Sequence, residues 1–314
     1  MLQKWVCLLM ILFLAFQRDA LANSEAEGVL LKLREDCQTL LIETYNSENS
    51  FVRAAVLRAA GDSHDPKLIS LLVKGIEDYY PTARLFSLQG LKNISRVETL
   101  AAARNLTDDP DIWVRSAAVE ILGDEGGPEV AEEIRGYLKS YDVPMKLAAS
   151  AGLVKLGEEK YMKEVLDPLT HPIPDRRYQA IGHLGKIGSK KVLPHLVNLF
   201  DHSETEMVFY SLKALEGKAT LDMLPKLKAL AKHTNPSVRQ ATAMAMSNLK
   251  EAEIDLIPLC ADEDGLTKLS AAVALNRIGS DSCQVVFDEL LSHEDFKVRS
   301  SMARVLGKTP IPKR

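Results

Sequence analysis

The chain has 314 residues, 46% apolar and 26% charged, with a formal net charge of −4. This is globular composition with enough apolar material for a sizeable core, and it excludes disordered and collagen-like classes. Acidic and basic residues mix along the whole length without a basic block, which argues against nucleic acid as a partner, because phosphate binding needs concentrated Lys and Arg.

Residues 1–22 stand apart. Lys4 precedes a 12-residue apolar run from Trp5 to Phe16. The run is too short to span a bilayer and has the length of a signal-peptide core. Ala20, Leu21 and Ala22 supply small residues at the cleavage positions. Cleavage before Asn23 is therefore expected, with secretion or export to a periplasm. No later segment is long and apolar enough to span a membrane. Cys7 leaves with the signal, and Cys37, Cys260 and Cys283 remain. They are odd in number and scattered, which is no disulfide framework, and there is no CxxC pair.

From residue 26 to residue 307 one phrase recurs. Its anchor falls at Val52, Ala83, Val114, Met145, Arg176, Met207, Val238, Thr267 and Val298. The spacing is 31 residues throughout, except 29 between Val238 and Thr267. A fixed period in this range means a solenoid or a propeller. Each repeat holds two helical patterns and no strand pattern. In residues 65–78, Leu68, Ile69, Leu71, Leu72 and Ile76 lie at helical spacing. Two helices of about ten to fourteen residues with short turns fill one period. The anchor and the residues four and eight further on, such as Val114, Ala118 and Leu122, form one apolar helix face aimed at the next repeat. Gly61, Gly123, Gly185 and Gly307 are expected to close their helices. A lone hairpin cannot bury its apolar side, so the hairpins must stack. The expected fold is all-α, an α-solenoid superhelix of about nine hairpins over residues 23–309, with a short tail at 310–314.

The phrase D-x-D-x-x-V-R-x-x-A-x-x-x-L-G, best seen at residues 109–123 and 293–307, resembles the HEAT-like repeats first associated with phycobilisome lyases. The likeness covers nearly the whole chain after the signal. It implies a right-handed superhelix of helical hairpins used as an interaction surface or as an enzyme accessory. It also implies a ladder of charge pairs along the stack.

The residue after the anchor is basic in eight of nine repeats: Arg53, Arg84, Arg115, Lys146, Arg177, Arg239, Lys268 and Arg299. A basic stripe could bind anions. The expected role is structural, because the position three before the anchor is often Asp, Glu or Asn and can pair with the neighbouring repeat. Asn49, Asp111, Asp142, Glu204, Asn235, Asp264 and Asp295 stand there. Val208 breaks the basic side, and Tyr80 and Ile173 the acidic side.

His171, His202, His233 and His293 lie five before the anchor, three of them in consecutive repeats. A metal reading fails on distance. Repeats stacked about 10 Å apart put the outer two of three histidines about 20 Å apart, beyond one ion with bonds near 2 Å. A polar turn residue is expected, as Ser47, Asp78, Asp109, Ser140 and Asp262 occupy the same slot. His183 and His195 are expected at surfaces or edges. Cys37, Cys260 and Cys283 fall in core slots, where buried apolar thiols are expected.

No catalytic residues, metal ligands or cofactor-binding residues emerge. Serine-hydrolase elbows, phosphate-cradling loops and HExxH helices are missing. Di-iron deoxyhypusine hydroxylases resemble this architecture but need several His-Glu pairs, and His293-Glu294 is the single pair here. The best binding candidate lies mid-array, where Tyr178, Phe209 and Tyr210, flanked by Leu147, occupy positions two and three after the anchor. Aromatic residues outside a core are enriched at interfaces. The expected function is a non-enzymatic scaffold that holds a protein or peptide partner on its curved inner face. The alternative is an accessory subunit of a chromophore- or cofactor-attaching lyase.

Overall fold

The computed structural model describes the backbone of residues 24–306, and side chains from Leu31 onward except at positions 303, 304 and 306. The expected signal at 1–22 and tail at 310–314 lie outside the described residues. The chain forms two compact units, the first through Tyr161 and the second over Met162–Val305. Both are helical throughout, without a strand among the described residues. No described helix is long and apolar enough to cross a membrane.

Each unit is a stack of helical hairpins, an α-solenoid, with four hairpins in the first unit and five in the second. The first unit holds α1 (Ser24–Thr44), α2 (Ser50–Asp62), α3 (Ile69–Gly75), α4 (Pro81–Lys92), α5 (Arg96–Leu106), α6 (Ile112–Glu125), α7 (Ala131–Tyr137) and α8 (Val143–Lys155). The second holds α9 (Met162–Leu166), α10 (Pro174–Ile187), α11 (Leu193–Val197), α12 (Thr205–Ala214), α13 (Leu224–Leu230), α14 (Pro236–Ala245), α15 (Glu253–Leu256), α16 (Gly265–Arg277), α17 (Val285–Leu291) and α18 (Phe296–Leu306).

Every anchor is the third residue of an even-numbered helix. These anchor helices pack on one another within each unit: α2 on α4, α6 on α8, α10 on α12, and α14 on α16. The apolar stripe drives this packing. Val114, Ala118 and Leu122 are fully buried, as are Met207, Ser211 and Leu215, and Val238, Thr242 and Met246. Two buried hydroxyls of this stripe are satisfied locally, Ser211 donating to the Val208 carbonyl and Thr242 to the Val238 carbonyl, whereas the Ser87 hydroxyl is buried without a partner.

The odd-numbered helices other than α1 and α5 are shorter than the periodicity predicts. Pro66, Pro128, Pro168, Pro194, Pro225 and Pro258 fall in or beside them. A proline removes one helix donor and clashes with the preceding turn. Several arms are therefore broken into 3₁₀ and α pieces, as in Lys250–Ala252, Glu253–Leu256 and Ile257–Ala261. The α5 arm has no proline and runs unbroken, with Ser95 accepting the Glu98 N–H at its start.

Gly61 and Gly123 do not close their helices. Both sit inside α2 and α6, where the repeats approach backbone to backbone. A Cβ on Gly61 would lie 2.4 Å from the Gly90 Cα, and one on Gly123 2.6 Å from the Gly152 Cα. Gly185 likewise faces Ala214, whose Cβ would be 2.7 Å away. The helix closer is instead Gly188, which ends α10 in the left-handed region at φ 59°. Gly307 lies outside the described residues.

The cysteine expectation is corrected too. Cys260 and Cys283 form a disulfide with Cα atoms 6.2 Å apart. Their slots, in the first arms of consecutive repeats, face each other across the stack. Cys37 is buried. His183, expected near a surface, is also buried.

Candidate interaction face

Each anchor helix is preceded by a turn of one design. The residue three before the anchor is the N-cap. Asn49, Asp111, Asn235 and Asp264 accept N–H groups of their own first turns. The residue five before the anchor accepts the N–H two residues on, in all nine repeats. Ser47, Asp78, Asp109, Ser140 and Asp262 do so through oxygen. His171, His202, His233 and His293 do so through Nδ1 at 3.0–3.1 Å. The histidine row is thus a set of turn acceptors.

This design explains where the ladder goes. The carboxylate three before the anchor was the expected partner, and it pairs across the stack at Asp142 and Glu204, but Asp111 and Asp264 are committed to capping their own helices. The carboxylate five before the anchor faces the neighbouring repeat instead. Arg53 grips Asp78 with Nε at 2.7 Å and Nη2 at 2.9 Å. Arg84 grips Asp109 with both at 2.6 Å. Arg239 grips Asp262 with both at 2.7 Å. Where the slot five before holds Ser140 or His202, the N-cap acid leaves its cap: Asp142 pairs with Arg115 at 2.7 Å and Glu204 with Arg177 at 2.5 Å. The remaining guanidinium nitrogen, Nη1, donates to the carbonyl of its own turn in Arg53, Arg84, Arg115, Arg177, Arg239 and Arg299. Lys268 reaches Glu289 at 2.6 Å on the following arm, α17, and Lys146 is exposed.

These pairs carry a pH signature. Burial opposes ionisation of Asp78, but Arg53, the Tyr80 N–H and the Tyr45 hydroxyl outweigh it and hold its carboxyl below the ordinary 3.8. Asp262 is lowered in the same way, burial being outweighed by Arg239 and the Asp264 N–H. A carboxyl lowered in the folded state makes unfolding take up protons. Its contribution is fully present above the ordinary value and lost as pH falls through the lowered one. Asp78→Asn is therefore expected to destabilise at neutral pH, with the gap to wild type closing below about pH 4 in urea titrations. A gap that stays constant into acid would contradict the sign.

The Arg177 rung is incomplete. Its Nε is buried without an acceptor, because His202 occupies the slot where Asp78, Asp109 and Asp262 each supply a second oxygen. His202→Asp is expected to keep the turn, complete the fork and stabilise the protein by about 1 kcal/mol, read as a raised urea midpoint. A lowered midpoint would show that the fork cannot form there.

The sequence-selected aromatics come together on α10 and α12. Tyr178 and Tyr210 stack with centroids 4.4 Å apart at 26°, and Phe209 meets Tyr210 edge-on at 5.2 Å. All three are half-buried. Burial, then the Glu206 and Glu204 carboxylates, push the Tyr178 hydroxyl up. Leu147, expected to flank this patch, belongs to α8 of the first unit and is buried at 5% exposure.

Beside the tyrosine pair lies a groove of about 360 Å³, lined by Tyr178, Gly182, Gly185, Lys186, Tyr210, Lys213, Ala214 and Lys218. Lys218 donates to the Gly185 carbonyl at 2.5 Å. Sequence reasoning found the rings but missed the glycines and lysines. Aligning the position six after each anchor, where Gly182 and Lys213 stand, would have exposed them.

Comparison with known proteins supports the repeat type. Residues 69–151 match the HEAT repeats family model, and residues 176–202 match the PBS lyase HEAT-like repeat model. No curated protein matches the chain. Among solved structures it is similar to the complex of CpcE and CpcF of phycocyanin lyase from Nostoc sp. PCC7120, at 16% identity and TM-score 0.49, covering 78% of this chain and 94% of that one. Human deoxyhypusine hydroxylase is similar at 16% identity and TM-score 0.39, covering 79% of this chain and 98% of that one. Kap121p bound to Nup53p is similar at 13% identity and TM-score 0.40, over 96% of this chain and 45% of that one.

Proposed function

We propose that this chain of HEAT-like repeats is an exported, non-enzymatic scaffold that holds a protein or peptide partner on the anchor-helix face of its second unit. The observation that carries the reading is the half-exposed cluster of Tyr178, Phe209 and Tyr210 beside a groove. Aromatic anchors next to a depression are the usual centre of a binding surface. The polar side chains three and five before the anchors, by contrast, are committed to caps, turn bonds and ladder pairs. Export is supported by the signal-like segment before Asn23 and by the Cys260–Cys283 bridge, since such bonds persist in oxidising compartments.

The test replaces Tyr178, Phe209 and Tyr210 together with Ala and compares crosslinked partners recovered from the native envelope. A partner recovered with wild type and at least about tenfold less with the triple variant, at unchanged helical circular dichroism, supports the surface. Equal recovery removes it. Mass spectrometry of the exported protein should place its N-terminus at Asn23.

A second reading, an accessory subunit of a chromophore-attaching lyase, is favoured by one observation: the PBS lyase HEAT-like match at residues 176–202 includes Tyr178. Stoichiometric binding of a bilin by the purified protein would replace the scaffold reading with this one.

A further inference from the structure

We infer that the turn edge of the first unit is a second docking surface, shaped for a basic segment in polyproline II conformation with a cation at every third residue. Other repeats build it than those of the α10–α12 face, and it does not depend on the function proposed above.

Each turn that leads into an anchor helix of this unit carries one exposed ring. Phe51, Tyr79, Trp113 and Tyr141 are 71%, 73%, 51% and 100% exposed. They alternate between the slots one and four before the anchor. Their contacts are at the surface: Phe51 meets Tyr80 of the next turn edge-on at 5.4 Å, and Arg53 lies over one face of Tyr79 at 4.5 Å. The turn design itself needs no ring. In the first three turns of the second unit the same slots hold Pro172 and Asp175, Ser203 and Glu206, and Thr234 and Ser237. A row of exposed aromatic side chains, one per repeat, marks an interaction surface.

Charge selects the occupant. The arginines of these turns are engaged, Arg53 with Asp78, Arg84 with Asp109 and Arg115 with Asp142. Lys74, on α3, lies over the Tyr45 ring at 5.2 Å. Glu48, Glu77 and Asp108 stand one at each of the first three turns, exposed, and make no ion pair or side-chain hydrogen bond among the described residues. Asp111, the cap of α6, adds a fourth negative charge. An exposed ring beside a carboxylate attracts a cation, and Arg53 over Tyr79 is an instance within the chain. The same acidic edge repels phosphates and anionic lipid headgroups. The fourth turn differs, with Lys139 and Lys146 exposed, so at Tyr141 the segment presents proline rather than a cation.

Spacing sets the conformation. Turns of adjacent repeats stand about 8–10 Å apart, the distance between packed helices. Three residues of polyproline II rise about 9 Å and bring the side chain back to the same side. In a β-strand the third residue points to the opposite face. Proline rings of such a segment also dock on aromatic side chains.

The test uses the chain from Asn23 onward and a fluorescein-labelled peptide of Arg-Pro-Pro repeats. Trp113 is the single tryptophan after residue 22, so its fluorescence reports this edge directly. A saturable change in that signal is expected with unlabelled peptide, at the same midpoint as the anisotropy of the labelled one, and binding should fall with added salt. Glu77→Lys/Asp108→Lys is expected to weaken binding at least about tenfold, and Trp113→Ser, read by anisotropy, likewise, both at an unchanged urea midpoint. The variant with Tyr178, Phe209 and Tyr210 replaced by Ala is expected to bind the peptide as wild type does, which separates this edge from the face of the second unit. The inference is overturned if the peptide binds without changing Trp113 fluorescence or fails to bind, or if Glu77→Lys/Asp108→Lys binds it as wild type does. It is also overturned if a peptide with arginine at every second position, or with glutamate in place of arginine, binds equally. Tighter binding of chitohexaose or of anionic phospholipid vesicles than of the peptide would assign the edge to a glycan or a membrane and overturn it as well.

Discussion

Replacing Asp109 with alanine is expected to destabilise the first unit by about 3–5 kcal/mol, the cost of stranding one partner of a buried ion pair. The side chains of Arg84 and Asp109 are 8% and 3% exposed. Arg84 would keep one acceptor, the Asp78 carbonyl at 2.7 Å, and its two other bonding nitrogens would face a void. The Asp111 N–H would also lose its acceptor. Asp142→Ala removes an equivalent rung that is more exposed, 22% and 29% for Arg115 and Asp142, and is expected to cost about 1 kcal/mol. The double variant Arg84→Met/Asp109→Ser should recover most of the loss. Methionine removes the stranded charge, and serine keeps the turn, as Ser47 and Ser140 do in their own repeats. Urea unfolding measures all three. A cost for Asp109→Ala no larger than that for Asp142→Ala would mean that burial does not set the strength of the rungs.

Why the sequence revealed the ladder but misplaced its acidic side follows from the same residues. The basic position is read directly, because Arg53, Arg84, Arg115, Arg177 and Arg239 recur at one offset. The acidic partner has two slots, three and five before the anchor, and their jobs trade. Asp78, Asp109 and Asp262 do two things at once, accepting a turn N–H and a neighbouring guanidinium. Serine and histidine can do only the first. Periodicity reports which slots are polar, but not which of two tasks a carboxylate performs. Gly61 and Gly123 misled for a related reason. A glycine near the end of a helical pattern reads as a stop, whereas contact with Gly90 and Gly152 is a property of two repeats together. The interaction face was half legible. Aromatic residues stand out at any position, but the stacking of Tyr178 on Tyr210 and the groove beside them are properties of two repeats together.

Reducing the Cys260–Cys283 bridge is expected to lower stability by about 3 kcal/mol, with the loss confined to the second unit. The two cysteines are 23 residues apart, and closing a loop of that size removes this much conformational entropy from the unfolded chain. Place in the stack makes the location predictable. In an array of repeats each hairpin is held chiefly by its neighbours, so one at the edge is the first to open. The bridge ties the arm ending at Ala261 to the arm beginning α17, and so fastens the last described hairpin to the one before it. The first unit has no such bond among the described residues and relies on buried rungs such as Arg84–Asp109. Hydrogen exchange with and without a phosphine reductant should therefore show protection falling in α16, α17 and α18 while α4 and α6 keep theirs. A Cys260→Ser/Cys283→Ser variant should match the reduced protein and be indifferent to reductant. Uniform loss across both units would mean that the array unfolds as one cooperative body. No loss at all would mean that packing of α17 and α18 already holds the edge without the bond.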